Sequence, residues 1–307
     1  MLIDRPSDRR RPRPAPAWQT WRPKEARWTT GAERSTRRPR RPTTSTSERA
    51  RRVVLLHGSG PGSSAYSNWR LAIPALAAEH RCLAPDLSGF GRTTPDRPPT
   101  PDVWRWADEV LALLDALAVE RVDVVGNSMG GAVALALAVR APERVRRIVT
   151  MGSVGVPFEL TPGLDAVWGY RPSLDAMRDL VRLFAFDPRY AEDDDLVRLR
   201  YEGSADPVMA EQYAALFPAP RQRWVDASVI PEASLRTIRA PLLAVHGRDD
   251  RVVPLETSDP PHRPRPGQPT RRLPALRPLG PGGAGDRVRE PRRLVPPPRP
   301  DADRRSR

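Results

Sequence analysis

A serine between two glycines has the spacing that a nucleophile needs. Residues 126–130 read Gly-Asn-Ser-Met-Gly, which fits the pattern G-x-S-x-G, and they join an apolar run to a run rich in alanine and leucine. In an ordinary Gly-Ser turn between a strand and a helix, the serine would have only a structural role. Because a predicted strand precedes the motif and a predicted helix follows it, we instead expect Ser128 to be a nucleophile at a helix N-terminus. There the Met129 N–H can stabilise an oxyanion.

Two further loops could complete the chemistry of a serine hydrolase. Residues 57–60, His-Gly-Ser-Gly, follow an apolar run, and Ser59 is expected to supply a second oxyanion N–H unless this is only a flexible glycine loop. Residues 247–254, Gly-Arg-Asp-Asp-Arg-Val-Val-Pro, follow the last apolar run. Here Asp250 is preferred to Asp249 as the acid, because such acids stand three residues after the glycine and four before the proline. A solvated loop carboxylate is the alternative.

A serine nucleophile also requires a histidine base within reach of the acid. The chain has 4 histidines: His57, His80, His246 and His262. His57 belongs to the glycine loop, His80 ends a predicted helix and His246 ends a predicted strand. His262 follows Asp250 too closely for the helix and strand that normally intervene. The sequence therefore contains a nucleophile and an acid, but no convincing base.

The three motifs stand at the ends of apolar runs that alternate with helical patterns. The runs at residues 53–57, 82–86, 122–125, 147–151 and 241–246 predict strands. Helical spacing is found at about 69–80, 103–119 and 130–140. Strands that alternate with helices in this way imply a mostly parallel sheet covered on both faces.

The order of these elements predicts an α/β-hydrolase fold with an inserted helical lid. Residues 53–156 would form the first part of the core, 157–234 the lid, and 235–256 the second part of the core with the acid. The flanks, residues 1–52 and 257–307, are rich in arginine and proline and lack hydrophobic periodicity, so we expect them to be disordered and outside the fold.

The excess of positive charge comes from these flanks. The net charge is +14, although the segment between the flanks is acidic on balance. Basic arms can bind nucleic acid or a membrane surface, but they usually mix lysine with arginine, and Lys24 is the only lysine. We therefore expect neither partner. The single cysteine, Cys82, excludes an intrachain disulfide, and no signal peptide or membrane span is visible, so a cytoplasmic protein is expected.

Several segments together resemble the meta-cleavage product hydrolases, which break a carbon–carbon bond in ring-fission products of aromatic degradation. The matching segments are residues 57–62 (His-Gly-Ser-Gly-Pro-Gly), 67–69 (Ser-Asn-Trp), 126–131 (Gly-Asn-Ser-Met-Gly-Gly), 200–202 (Arg-Tyr-Glu), 217–224 (Phe-Pro-Ala-Pro-Arg-Gln-Arg-Trp) and 247–251 (Gly-Arg-Asp-Asp-Arg). Asn127 and the 217–224 string look most like the branch that acts on 2-hydroxymuconic semialdehyde and its alkyl relatives.

The resemblance implies a 2-hydroxy-6-oxo-dienoate substrate and no metal or organic cofactor. It places Arg200, Asn68 and Asn127 where the family grips the dienoate, and a guanidinium suits a carboxylate because it can donate two parallel hydrogen bonds. A surface ion pair for Arg200 and loop-capping amides for the asparagines are the alternatives. Ketonisation followed by attack through Ser128 would release 2-hydroxypentadienoate and a carboxylic acid.

One family feature is missing from the translated sequence. The family carries its histidine in a Cys-Gly-His-Trp string, whereas the corresponding residues 276–283 read Leu-Arg-Pro-Leu-Gly-Pro-Gly-Gly. Permitted codons for these residues, read one base later, encode Cys-Gly-His-Trp-Ala-Gln-Val, with the histidine codon across Pro278 and Leu279. Residues 42–52, read one base earlier, permit Tyr-His-Glu-His-Val-Gly-Ala-Gly-Ala-Pro. Both flanks are therefore interpreted as out-of-frame translations, and the chain as given is expected to be inactive or nearly so.

Two other functions stay open at this point. An ester or lactone hydrolase of the same fold would share Ser128 and Asp250, but it would have no reason to match Arg200 and the two asparagines together. A non-enzymatic binding protein with basic arms is the alternative from another class. For the hydrolase, the expected partner is a small dienoate, and a homo-oligomer is compatible with the sequence.

Overall fold

The fold is built on one parallel sheet. A computed structural model describes residues 51–91, 93 and 100–258. Its sheet has the strand order β2-β1-β3-β4-β5, and every neighbouring pair is parallel. The strands are β1 (Arg51–Leu56), β2 (His80–Leu83), β3 (Val122–Asn127), β4 (Val145–Met151) and β5 (Leu242–Val245). The predicted α/β architecture is thereby confirmed.

Alternate side chains of β1 enter two different hydrophobic clusters. Val54 and Leu56 belong to the large core, whereas Val53 and Leu55 pack with Trp69 on the other face of the sheet. Successive side chains of a strand point to opposite faces, so an unbroken apolar run is what a strand covered on both faces requires. The apolar run before the glycine loop therefore encodes a central strand.

Two long helices cover the large core. Helix α3 (Val103–Ala116) follows the short helices α1 (Ala65–Trp69) and α2 (Ile73–Leu76), and α4 (Met129–Arg140) comes after β3. Asp102 caps α3 by accepting hydrogen bonds from two backbone N–H groups of its first turn. Helix α4 is buried from its first residue to Ala138, and its glycines and alanines allow the close approach to the sheet.

The segment between β4 and β5 is helical among the residues that the structure describes. Its helices are α5 (Pro162–Trp168), α6 (Leu174–Phe184), α7 (Arg189–Glu192), α8 (Asp194–Ser204), α9 (Pro207–Leu216), α10 (Gln222–Ala227) and α11 (Glu232–Leu235). Side chains of Thr161, Ser173, Asp193 and Asp206 cap α5, α6, α8 and α9. A 3₁₀ turn, Leu255–Ser258, follows β5 and the acid loop.

The region before β2 differs from the predicted single helix. A single helix at 69–80 was predicted, but the chain forms α1 and α2 with a turn between them, because Pro74 cannot continue a helix from the preceding residues. His80 begins β2 instead of ending a helix, and β2 ends at Leu83 because Pro85 has no N–H to donate to a strand ladder.

Two kinds of feature are absent from the residues that the structure describes. No helix there is long and apolar enough to cross a membrane. No group of three or more histidine, cysteine, aspartate or glutamate side chains is arranged there to hold a metal ion.

Candidate active site

Ser128 lies on a sharp turn between β3 and α4. Its backbone angles are φ 52° and ψ −118°, and among the described non-glycine residues only Ala118 also has a positive φ. A non-glycine residue in this region is strained, and such strain is concentrated at functional sites. The Ser128 N–H donates to the Met151 carbonyl at 2.8 Å, which ties the turn to the end of β4.

The glycines around Ser128 are required by the closeness of neighbouring backbone. A Cβ on Gly126 would lie 2.2 Å from the Gly130 carbonyl oxygen. A Cβ on Gly130 would lie 2.4 Å from the Leu56 carbonyl oxygen. Backbone atoms cannot move away as a flexible side chain can. The G-x-S-x-G spacing therefore has a direct steric cause in this chain.

The two backbone N–H groups predicted as oxyanion donors both border this turn. Met129 is the first residue of α4, and the Gly58–Ser59 loop follows β1. A Cβ on Gly58 would lie 3.2 Å from the Ser128 Cβ, so this loop and the serine are in close contact. Neither the Ser59 nor the Met129 N–H has a hydrogen-bond partner among the described residues.

Lid residues hold Ser59 in place. Trp168 Nε1–H donates to the Ser59 hydroxyl at 3.0 Å, and the Tyr213 hydroxyl lies 3.2 Å from the Ser59 carbonyl oxygen. The same Tyr213 hydroxyl donates to the Val167 carbonyl at 2.7 Å. Sequence reasoning missed both side chains, because each meets Ser59 across more than a hundred residues and no local pattern marks the contact.

The two asparagines predicted to bind substrate are brought together. Asn68 Oδ1 accepts hydrogen bonds from the Gly58 N–H at 3.1 Å and from Asn127 Nδ2 at 3.2 Å. The loop-capping alternative thus describes part of what Asn68 does. The Asn68 amide nitrogen and the Asn127 amide oxygen have no protein partner in the described chain, so both can still bind a ligand.

Asp250 lies at the end of the sheet where Ser128 is found. It follows β5, and its Oδ2 would be 3.2 Å from a Cβ on Gly152, directly after β4. Since Ser128 is tied to Met151, the predicted nucleophile and acid lie on either side of the end of the same strand. The other oxygen, Oδ1, accepts from the Val252 and Val253 N–H groups at 2.8 and 2.9 Å.

His246 is the other partner of this carboxylate. Its Nε2 lies 3.5 Å from Asp250 Oδ2 and 3.0 Å from the Val253 carbonyl oxygen. Desolvation raises the pKa of Asp250, but the hydrogen bonds from His246, Val253 and Val252 together outweigh it, so the pKa lies below its usual value. Asp250 is therefore held ionised, as a triad acid must be.

No described histidine is placed as a base. His57 is fully buried and bonded to Gly58 and Leu87, and His246 contacts Asp250, Val253 and Ser258. His80 begins β2, and its buried Nδ1 has no partner. None of these three rings hydrogen-bonds to Ser128. The remaining histidine, His262, and the proposed codon position at Pro278 and Leu279 lie outside the described residues.

Arg200 is an unpaired cation on lid helix α8. It has no hydrogen bond or ion pair among the residues that the structure describes. Its surface is still accessible to solvent, yet surrounding protein desolvates the guanidinium and lowers its pKa, an effect to which the charge of Arg70 adds. The guanidinium is therefore partly desolvated by neighbouring protein, while it stays accessible to a ligand. A Cβ on Gly62 would lie 2.8 Å from the Gly203 carbonyl oxygen, so α8 contacts the loop that carries Ser59.

A parallel sheet with a strained serine between strand and helix, and an ionised aspartate after a later strand, defines the serine-type α/β hydrolases. The family model described as alpha/beta hydrolase fold matches residues 51–271. The chain is 52% identical over 208 residues to the 2-hydroxymuconate semialdehyde hydrolase of Pseudomonas sp. (strain CF600). This match covers 67% of this chain and 72% of that protein. It is also 53% identical over 206 residues to the 2-hydroxy-6-oxo-2,4-heptadienoate hydrolase of Pseudomonas putida (strain F1), and this match covers 67% of this chain and 74% of that protein.

A solved structure gives the same result. The meta-cleavage product hydrolase CumD from Pseudomonas fluorescens IP01 matches with a TM-score of 0.66 at 46% identity, over 68% of this chain and 76% of that one. The chain belongs to the meta-cleavage product hydrolases of the α/β-hydrolase family. The resemblance inferred from the sequence motifs is thereby confirmed.

Proposed function

We propose that this chain carries the catalytic frame of a hydrolase that cleaves a carbon–carbon bond in 2-hydroxy-6-oxo-dienoates of the 2-hydroxymuconic semialdehyde type. The relatives at 52% and 53% identity are named for such substrates. The observation that carries the proposal is the strained Ser128, which adjoins the Gly58–Ser59 loop and shares the end of β4 with an ionised Asp250.

In this proposal each residue of the site has one role. Ser128 attacks the distal carbonyl carbon, and the Ser59 and Met129 N–H groups stabilise the oxyanion that forms. Asp250 orients the base and stabilises its charged form. The Ser59 and Met129 N–H groups suit the stabilisation of an oxyanion because neither is already bonded to another described group, so the oxyanion displaces no partner.

The unpaired guanidinium of Arg200 binds the dienoate carboxylate. A desolvated cation without a protein partner favours an anionic ligand, because the ligand replaces the lost hydration. Asn68 and Asn127 offer one free amide nitrogen and one free amide oxygen beside Ser128, which suits the 2-hydroxy group. Ketonisation then places an electron sink next to the bond that breaks. Addition of water across that bond yields 2-hydroxypentadienoate and a carboxylic acid.

The base is proposed to be encoded out of frame across Pro278 and Leu279. The match to each relative leaves at least a quarter of both chains outside it. Strand β5 has the apolar composition of a buried strand, yet three of its four residues are only partly buried, and within the described chain it pairs with β4 alone. A further strand and helix restored by the frame change would cover it. Residues 1–50 and 259–307 are assigned to this frame change. The fold extends two residues into each predicted flank, because Arg51 and Arg52 pair with β2 as the start of β1, and residues 257 and 258 complete the 3₁₀ turn.

The test compares the chain as given with a frame-corrected chain at equal soluble concentration. Loss of the dienolate absorbance of 2-hydroxymuconic semialdehyde is followed, with Ser128→Ala of each chain as background. We expect turnover by the corrected chain only, because loss of general-base help costs ~10²- to 10⁴-fold. Comparable turnover by both chains would show that another group serves as base. Sequencing the gene tests the frame directly.

The role of Arg200 is tested separately in the corrected chain. Arg200→Ala should weaken turnover of the dienoate far more than turnover of a neutral ester, whereas Arg198→Ala, an exposed arginine on the same helix, should affect neither. Equal losses on both substrates would remove the carboxylate role and favour an ester or lactone hydrolase.

A further inference from the structure

The loop that carries Ser59 is held by a histidine that the proposed chemistry does not use. His57 is buried, and its Nδ1 lies 2.8 Å from the Gly58 carbonyl oxygen. Its Nε2 accepts a hydrogen bond of 3.0 Å from the Leu87 N–H. Because Nε2 is an acceptor, the ring proton of a neutral His57 is on Nδ1, from which it is donated to Gly58.

The surroundings of His57 favour this neutral form. Desolvation lowers the pKa of His57 and outweighs the opposing effects of the Gly58 carbonyl and the Asp86 charge. The Phe90 ring stands edge-on to the imidazole, with centroids 5.3 Å apart. The two hydrogen bonds of His57 are thus made by two different ring atoms, and a substitution can remove either one alone.

Three successive peptide units of the loop are each held by a different group. Asn68 accepts from the Gly58 N–H, His57 donates to the Gly58 carbonyl, and Tyr213 contacts the Ser59 carbonyl. The middle unit, which joins Gly58 to Ser59, contains the Ser59 N–H. Since a trans peptide is planar, its N–H points opposite to its carbonyl. Fixing the Gly58 carbonyl therefore fixes the direction of the Ser59 N–H.

We propose that His57 is a positioning residue for the oxyanion donor. Its Nδ1–H holds the Gly58 carbonyl and so directs the Ser59 N–H toward the oxygen that develops beside Ser128. The Gly58 Cβ position, 3.2 Å from the Ser128 Cβ, shows that this peptide is close enough for the direction to matter. The inference rests on the proposed function, which makes Ser59 a donor.

Two amide substitutions separate the hydrogen bonds of His57. The amide of His57→Asn reaches the Nδ1 position, where it can donate to Gly58, but it leaves the Leu87 N–H without an acceptor. The amide of His57→Gln reaches the Nε2 position, where it can accept from Leu87, but it leaves the Gly58 carbonyl free. Both variants lose the ring, so the lost packing is similar.

The readout is the second-order rate constant for labelling of Ser128 by a fluorophosphonate, measured together with Tm on the frame-corrected chain, which restores the base that activates Ser128. The phosphonyl oxygen occupies the oxyanion position, so the rate reports the donors and needs no dienoate. Loss of one oxyanion donor costs ~10²- to 10³-fold, and we expect His57→Gln to slow labelling by about 10²-fold. We expect His57→Asn to be labelled at least ~10-fold faster than His57→Gln, because it keeps the hydrogen bond to the Gly58 carbonyl. We also expect His57→Asn to have the lower Tm of the two variants, because the buried Leu87 N–H is left without an acceptor.

The outcomes separate this inference from the proposed function. If the two labelling rates follow Tm, so that His57→Asn is the slower variant, or if the variants are equally slow, His57 is only a structural residue. If the frame-corrected chain without further substitution shows no labelling that Ser128→Ala abolishes, the nucleophile itself is refuted, and the positioning role is refuted with it.

Discussion

Replacing Gly130 by alanine tests whether the close packing at the serine turn stabilises the fold. The added Cβ would lie 2.4 Å from the Leu56 carbonyl oxygen and 2.6 Å from that of His57. Both atoms belong to the backbone, so β1 or α4 must shift. We expect this shift to cost about 3 kcal/mol of stability, which is the upper end of the usual cost of overpacking a protein core. Alanine in a helix gains up to about 1 kcal/mol over glycine. The expected net loss is therefore about 2 kcal/mol.

The matched control is Gly203→Ala on α8, where an added Cβ meets no atom within 4 Å. This change should stabilise the chain by about 0.5–1 kcal/mol. Urea unfolding of the three proteins measures both effects, and an unchanged slope shows that the extent of unfolding is the same. If Gly130→Ala loses less than about 1 kcal/mol of stability, the contact with the Leu56 and His57 backbone does not impose the expected steric cost.

Two further predictions concern the acid and the lid. The folded pKa of Asp250 is depressed, so its stabilising contribution is present above its unfolded pKa of about 3.9 and is lost as pH falls through the folded value. Urea unfolding at about pH 6 should therefore give Asp250→Asn a lower free energy of unfolding than the unsubstituted chain. This difference in free energy should shrink below about pH 4. A difference that stays constant with pH would contradict an ionised Asp250. In the frame-corrected chain, Tyr213→Phe should cost about 1–2 kcal/mol and slow fluorophosphonate labelling, because the one hydroxyl proton that the Val167 and Ser59 carbonyls share is lost; an unchanged Tm and rate would show that this hydroxyl is dispensable.

The local sequence was sufficient to predict site residues whose geometry is set by a single turn or loop. The apolar run of β3, the two glycines and the helix after them predicted the turn at Ser128, because each constraint lies within a few residues of the serine. The same holds for Asp250, whose loop is closed by the Val252 and Val253 N–H groups. Periodicity also predicted the parallel sheet, but it carries no information on strand order, so the position of β1 between β2 and β3 had to come from the structure.

Contacts between distant segments could not be predicted in this way. Asn68 and Asn127 were assigned separately to substrate, and their mutual hydrogen bond depends on how α1 packs beside the end of β3. The contacts of Trp168 and Tyr213 with Ser59 depend on how the lid packs over the glycine loop. In both cases a side chain from α1 or from the lid contacts the glycine loop beside the nucleophile. The proposed oxyanion donor is thus held by residues from three parts of the chain. A lid substitution far from Ser128 in sequence should therefore change the rate of its chemistry as well as the choice of substrate.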